Sequence, residues 1–178
     1  MKLGIQTTTL DLDPTGSIVE EKPFDHVTWE KIQGIVPQFT GTIKQIPPIF
    51  SALKKDGKRL YELGRKGQVA EDVQIEAREV TIHDLKIIDK DDKTDLSSFE
   101  IDVECGGGTY IRSLIRDMGI ALGTVATMSK LERTKQGQFT LDDPQCLPKD
   151  EWNPDSITTS IEYCQKNLLS KSSAEIDK

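Results

Sequence analysis

Arg112 stands just inside a stretch of helical spacing and directly behind the run Gly106-Gly107-Gly108-Thr109-Tyr110. Ahead of the glycines, Phe99, Ile101, Val103 and Cys105 alternate, which predicts a strand with one buried face. Behind them, Ile111, Leu114, Ile115, Met118 and Leu122 recur at helical spacing, Thr109 is placed to cap through its hydroxyl, and Gly119 and Gly123 mark the end. Arg112 lies in the first helical turn and off the apolar stripe. A guanidinium there sits at the positive end of the helix dipole, so a carboxylate or a phosphate is the partner that would compensate it. A solvated surface arginine is the ordinary alternative. The bare glycine turn fits either a phosphate-binding loop or close strand–helix packing, and periodicity alone does not separate the two.

A second group able to do chemistry lies between Lys54 and Lys66. Six basic residues (Lys54, Lys55, Lys58, Arg59, Arg65, Lys66) stand there against Asp56 and Glu62, a net +4 that leaves −11 for the rest of a chain whose total is −7. An acidic chain argues against nucleic acid as a whole, but a basic stripe on an acidic body binds a phosphate backbone with strong salt dependence. Lys130, Arg133 and Lys135 form a smaller cluster. Two histidines, His26 and His83, argue against a histidine metal site or triad. Three cysteines (Cys105, Cys146, Cys164) without CxxC spacing read as reduced thiols, not as a zinc site or a disulfide frame. The 178 residues suffice for one domain with a real core, and no run approaches the ~20 apolar residues needed to span a bilayer. Met1-Lys2-Leu3-Gly4 lacks an apolar signal core.

The positioning elements follow from the pattern. Leu3 to Thr9 predicts a short strand, followed by the turn-forming string Thr9-Leu10-Asp11-Leu12-Asp13-Pro14-Thr15-Gly16. Thr28 caps a helix with Trp29, Ile32, Ile35, Val36 and Phe39 as its apolar stripe. Ile43 to Ile46 predicts a strand stopped by Pro47-Pro48, with extended structure resuming over Ile49 to Leu53. Lys55-Asp56-Gly57-Lys58 is a tight-turn signal, and Arg59 to Arg65 a short helix. Val73 to Ile88 reads as one long or broken strand with Arg78 and His83 outward, then a polar loop from Lys90 to Asp95. Thr124 to Leu131 reads as a strand, Lys135 to Gln138 as a turn, and the last helix is capped by Asp155 or Ser156, with residues 170–178 frayed.

Gly107-Gly108-Thr109-Tyr110-Ile111-Arg112-Ser113-Leu114 with Asp117-Met118-Gly119 and Leu122-Gly123 resembles the arginine motif of the TruB family of tRNA pseudouridine synthases. Further matches occur in the right order: Leu3-Gly4-Ile5-Gln6-Thr7, Val19-Glu20-Glu21-Lys22-Pro23, Gln45-Ile46-Pro47-Pro48-Ile49-Phe50-Ser51-Ala52-Leu53-Lys54, Gly57-Lys58-Arg59-Leu60-Tyr61 and Leu131-Glu132-Arg133-Thr134. The sequence is most similar to the animal branch, which has no added RNA-binding domain. The resemblance implies an α+β pseudouridine synthase fold, a mixed, mostly antiparallel sheet flanked by helices, with the N-terminal part of the domain missing. Residues 1–147 are the C-terminal part of the catalytic domain and residues 148–178 a C-terminal helix and tail.

What the resemblance implies for chemistry is an isomerase that turns the T-loop uridine, position 55 of tRNA, into pseudouridine without a metal or an organic cofactor. Arg112 pairs with and orients the catalytic aspartate, and Tyr110 lies beside that pair. Leu131 forms part of an apolar pocket floor. Lys54, Lys58 and Arg59 are phosphate contacts by charge alone. The implied partner is the T-arm stem-loop of tRNA, with structured mRNA hairpins as further substrates, in the nucleus or cytoplasm, mitochondria not excluded. The family's catalytic aspartate falls upstream of Met1, so this chain is expected to be inactive alone. Asp13, in its own Leu-Asp-Pro string, sits in a different loop. The alternative is a truncated homologue that binds RNA or a partner without chemistry, and sheet edges left open by a missing segment would promote self-association.

Overall fold

The computed structural model describes residues 1–7, 18–67, 70–88, 95–137, 139–141 and 146–166, which divide into two units, Met1–Lys130 and Leu131–Lys178. In chain order the first unit holds β1 (Lys2–Leu3), β2 (Ile5–Thr7), β3 (Ile18–Glu21), α1 (Trp29–Ile35) continued by a 3-10 turn over Val36–Phe39, β4 (Gly41–Gln45), β5 (Lys54–Lys55), β6 (Lys58–Arg59), α2 (Leu60–Gly64), α3 (Ala70–Val73), β7 (Arg78–Ile87), β8 (Ile101–Cys105), α4 (Ile111–Ala121) and β9 (Ala126–Thr127). The second holds β10 (Lys135–Gln136), β11 (Phe139–Thr140) and α5 (Pro154–Cys164). Every strand pairing is antiparallel among the described residues. The α+β, mostly antiparallel expectation agrees.

The central sheet has the order β4-β7-β8. Strand β7 is ten residues long because its apolar residues alternate, with Val80, Ile82 and Leu85 buried. The phase of that alternation slips between Ile82 and Leu85, where the β7–β8 register shifts. The extra residue, His83, is left out of the pairing, as in a bulge, and is exposed. Helix α1 carries the expected cap: the Thr28 side chain accepts from the Lys31 N–H at 3.3 Å. Trp29, Ile32 and Ile35 meet Leu114, Ile115 and Met118 of α4 in the main core. A second, smaller core gathers Ile49, Leu60 and Val73.

Gly119 lies within α4, not at its end. A Cβ there would stand 2.7 Å from the Ala126 nitrogen, so the helix packs on β9 at a distance only glycine permits. The helix stops at Gly123, φ +74°.

Several sequence expectations are corrected. Thr109 does not cap α4. Tyr110 holds the cap position without a side-chain bond, and the Thr109 hydroxyl donates to the Gly106 carbonyl at 2.9 Å, closing the turn instead. Val73 ends a helical turn, and the strand starts only at Arg78. Ile49 to Leu53 is bent and not extended, with the Phe50 carbonyl turned to the Arg112 guanidinium. The strand expected over Thr124 to Leu131 shrinks to Ala126–Thr127, the part paired with β1. The last helix is capped by Asn153, with Pro154 following and Ser156 completing a capping box. The string around Asp13, most of the loop from Lys90 to Asp95 and the tail at 170–178 lie outside the described residues.

Candidate functional site

Pro47 and Pro48 have no backbone N–H and cannot continue β4. Past the end of β4 the carbonyls of Ile46 and Phe50 therefore have no ladder to join, and side chains of α4 take them. The Arg112 Nη2 donates to the Phe50 carbonyl at 3.0 Å. The Ser113 hydroxyl donates to the Ile46 carbonyl at 2.9 Å, and the Arg116 Nη2 to the same oxygen at 3.2 Å. Arg116 is itself oriented by Asp117, its Nε donating to Oδ1 at 2.8 Å. One residue earlier, the Gln45 Oε1 accepts the Tyr110 backbone N–H at 2.8 Å. The start of α4 and the proline loop thus form one hydrogen-bonded body.

The other side of the loop is bound to the basic segment. The Ser51 carbonyl accepts the Tyr61 N–H at 3.2 Å, and the Leu53 carbonyl accepts the Leu60 N–H at 2.8 Å. The Phe50 ring lies on Gly64, where an added Cβ would collide with it. Strands β5 and β6 form a hairpin whose turn residues Asp56 and Gly57 both have positive φ (51° and 80°), the conformation an Asp-Gly pair favours between two twisted strands. Lys54, Lys58 and Arg59 are exposed on it. Arg59 and Arg65 lie over the Tyr61 ring, 5.8 and 5.3 Å from its centroid. Lys55 points the other way. Its ammonium donates to the carbonyls of Val73 and Gln74, tying the hairpin to the end of α3.

Arg112 and Tyr110 are therefore brought together at the start of α4, half-buried, and the loop beside them carries the hairpin with Lys54, Lys58 and Arg59. Leu131 belongs to the second unit and is 53% exposed. The sequence predicts an anion beside Arg112, and the Phe50 carbonyl is one acceptor it has found. Close strand–helix packing does not explain the glycine run, since a Cβ at Gly107 or Gly108 would meet nothing within 4 Å. Gly108 is required by its φ of +84°. Gln45 and Ser113 belong to this body without a prediction from the sequence. The signal for Gln45 was its place one residue before Ile46-Pro47-Pro48, a polar residue at a buried strand end; it is 1% exposed. Among the described residues no three His, Cys, Asp or Glu side chains group as metal ligands, and no helix is long and apolar enough to cross a membrane.

Residues 1–111 match the model of the TruB family pseudouridylate synthase (N terminal domain), and residues 112–151 that of the tRNA pseudouridylate synthase B C-terminal domain. The chain is 49% identical to the Mus musculus pseudouridylate synthase TRUB1 over 167 residues, 94% of this chain and 47% of that protein. It is 42% identical to tRNA pseudouridine synthase B of Parabacteroides distasonis over 151 residues, 85% of this chain and 60% of that one. Among solved structures it is similar to a chain of a Cbf5-Nop10-Gar1 complex, with a TM-score of 0.52 and 26% identity, covering 79% of this chain and 34% of the other. The chain spans about half the length of the mammalian relatives it matches.

Proposed function

Because the chain belongs to the TruB family of pseudouridylate synthases, we propose that it carries the arginine half of a site that isomerises a T-loop uridine of tRNA to pseudouridine. In this reaction the N1–C1′ bond of the uridine breaks, the detached base turns in place, and C5 bonds to C1′; C5 loses its proton and N1 gains one. A carboxylate must serve the sugar while a pocket retains the base. Arg112 orients that carboxylate through its planar fork of donors, and Tyr110 stands beside the pair. Lys54, Lys58 and Arg59 hold RNA phosphates, and folded RNA yields the target base by flipping, at a cost of a few kcal/mol. The T-arm stem-loop is the substrate of this reading, structured mRNA hairpins a second, and the nucleus or cytoplasm its setting.

The observation that supports it most is the shared frame. Arg112, Ser113 and Arg116 grip the loop at Ile46 and Phe50, and the same loop grips the basic segment at Ser51, Leu53 and Gly64. A carboxylate-orienting group and a phosphate-binding group are thereby held at a fixed relation to each other. The test is pseudouridylation of a T-arm stem-loop by this chain, by this chain with Asp13→Asn, and by a version extended with the upstream segment of the family. Turnover confined to the extended version places the nucleophile upstream. Turnover by this chain that disappears with Asp13→Asn places it at Asp13. RNA binding without turnover in any version leaves a binding module and overturns the catalytic reading.

A further inference from the structure

We propose that a slot beside the basic hairpin takes one unpaired nucleotide of the RNA, its base against Leu53 and Ile75 and its phosphate between Lys54 and Arg78. This rests on the RNA-binding reading above and adds a subsite to it. The slot is a cavity of about 200 Å³ between the hairpin and residues 74–78. That is smaller than the ~300–1,000 Å³ of sites for drug-sized molecules, and suits a single ring system.

Its inner wall is apolar. Leu60 is buried there, and Leu53 and Ile75 are half-buried at the edge of the smaller core. Its rim is charged. Lys54 opens β5 and Arg78 opens β7; both are exposed, and neither side chain makes an ion pair or hydrogen bond among the described residues. Lys55 also lines the slot, but its ammonium is held by the Val73 and Gln74 carbonyls, so it acts as a strut that fixes the two walls relative to each other. Gln74 takes a left-handed backbone (φ 49°) at that strut. Gln74 and the exposed Glu76 supply a donor and acceptors for the edge of a base. A planar, largely apolar body with an anionic tail matches an apolar wall under two cations. A nucleotide has that form, and an unpaired one leaves its stack to enter at the least cost.

The test uses the whole chain and fluorescence anisotropy, with two RNAs: a T-arm stem-loop and a blunt duplex of the same stem. Wild-type protein is expected to prefer the stem-loop. Arg78→Glu should weaken stem-loop binding about tenfold and reduce the slope of log K against log salt by about one or more. Ile75→Phe, which fills the slot without changing charge, should remove the preference for the stem-loop and leave the salt slope as it was. Thermal melts check both variants, and Arg78→Ala replaces Arg78→Glu if the latter does not fold. Wild-type-like binding by both variants overturns the slot and leaves the RNA reading standing. Failure of wild-type protein to bind either RNA overturns that reading and the slot with it. Equal binding of stem-loop and duplex by wild-type protein overturns insertion of a base. Efficient displacement of the stem-loop by free uridine 5′-monophosphate overturns RNA as the source of the nucleotide.

Discussion

The Gln45 Oε1 accepts the backbone N–H of Tyr110 at 2.8 Å, joining residues 65 positions apart. A helix begins with orphan N–H groups, and α4 has no side chain of its own to meet them. A glutamine at the end of a neighbouring strand supplies the acceptor from outside. The bond also fixes which way the amide points: the oxygen faces Tyr110, and Nε2 is left buried without a partner among the described residues.

Replacing Gln45 with Met keeps the length of the side chain and removes the acceptor. It also removes the unpartnered Nε2, which offsets part of the loss. The net cost should be about 1–2 kcal/mol, dominated by a stranded Tyr110 N–H. A urea titration reads it as a lowered midpoint. An unchanged midpoint would mean that Arg112, Ser113 and Arg116 hold the start of α4 without Gln45.

Arg112 serves both the Phe50 carbonyl and, in the proposed function, a carboxylate. In any version of the protein that turns over T-arm RNA, Arg112→Ala should abolish turnover and leave RNA affinity within about threefold, since the phosphate contacts lie elsewhere. Arg112→Lys should not restore turnover, because an ammonium lacks the fork that orients a carboxylate. Retained turnover in Arg112→Ala would remove the residue from the chemistry.

Gly119→Ala sets helix propensity against sterics. Alanine gains about 1 kcal/mol in a helix interior. Its Cβ would meet the Ala126 nitrogen at 2.7 Å and the Ala126 Cβ at 2.8 Å, and backbone cannot rotate aside. Overpacking of this kind costs about 1–3 kcal/mol. The variant should therefore lose stability, read as a lowered melting temperature; a gain would show that α4 shifts freely on β9.

The sequence carried the outline of this fold where the local signal and the packing agree. The apolar stripes of α1 and α4 are legible because each buries one face, and the Asp56-Gly57 turn because its backbone angles demand those residues. The bulge at His83 is also written in the alternation, as a slip between Ile82 and Leu85. Thr109 misled because the helix starts one residue later than its spacing suggests: Tyr110 takes the cap position, and the Thr109 hydroxyl closes the turn by donating to the Gly106 carbonyl. Gly119 read as a helix end because a contact with Ala126 leaves no local trace. The loop from Ile46 to Leu53 could not be read at all by period: its conformation is set by Arg112, Ser113 and Arg116, more than 60 residues away. In the candidate site, Arg112 and the basic hairpin were visible as charges out of place. The body that joins them was not, because Gln45 and Ser113 are neutral and buried.

The pairing of Lys58 and Arg59 with the hairpin gives the test of the phosphate surface. Both are exposed on β6, and the turn ahead of them is set by Asp56 and Gly57, so charge reversal spares the backbone. Arg59 also lies over Tyr61 at 5.8 Å from its centroid, an exposed contact that contributes ~0.5–1 kcal/mol. The double variant Lys58→Glu with Arg59→Glu should melt within a few degrees of wild type. If two phosphate contacts are lost, the salt slope of RNA binding should flatten by about 2, and affinity at low salt should fall far more than at high salt. Binding measured across a salt series separates this from misfolding, which would lower affinity at every salt concentration by a similar factor. An unchanged slope would place the RNA on another face of the protein.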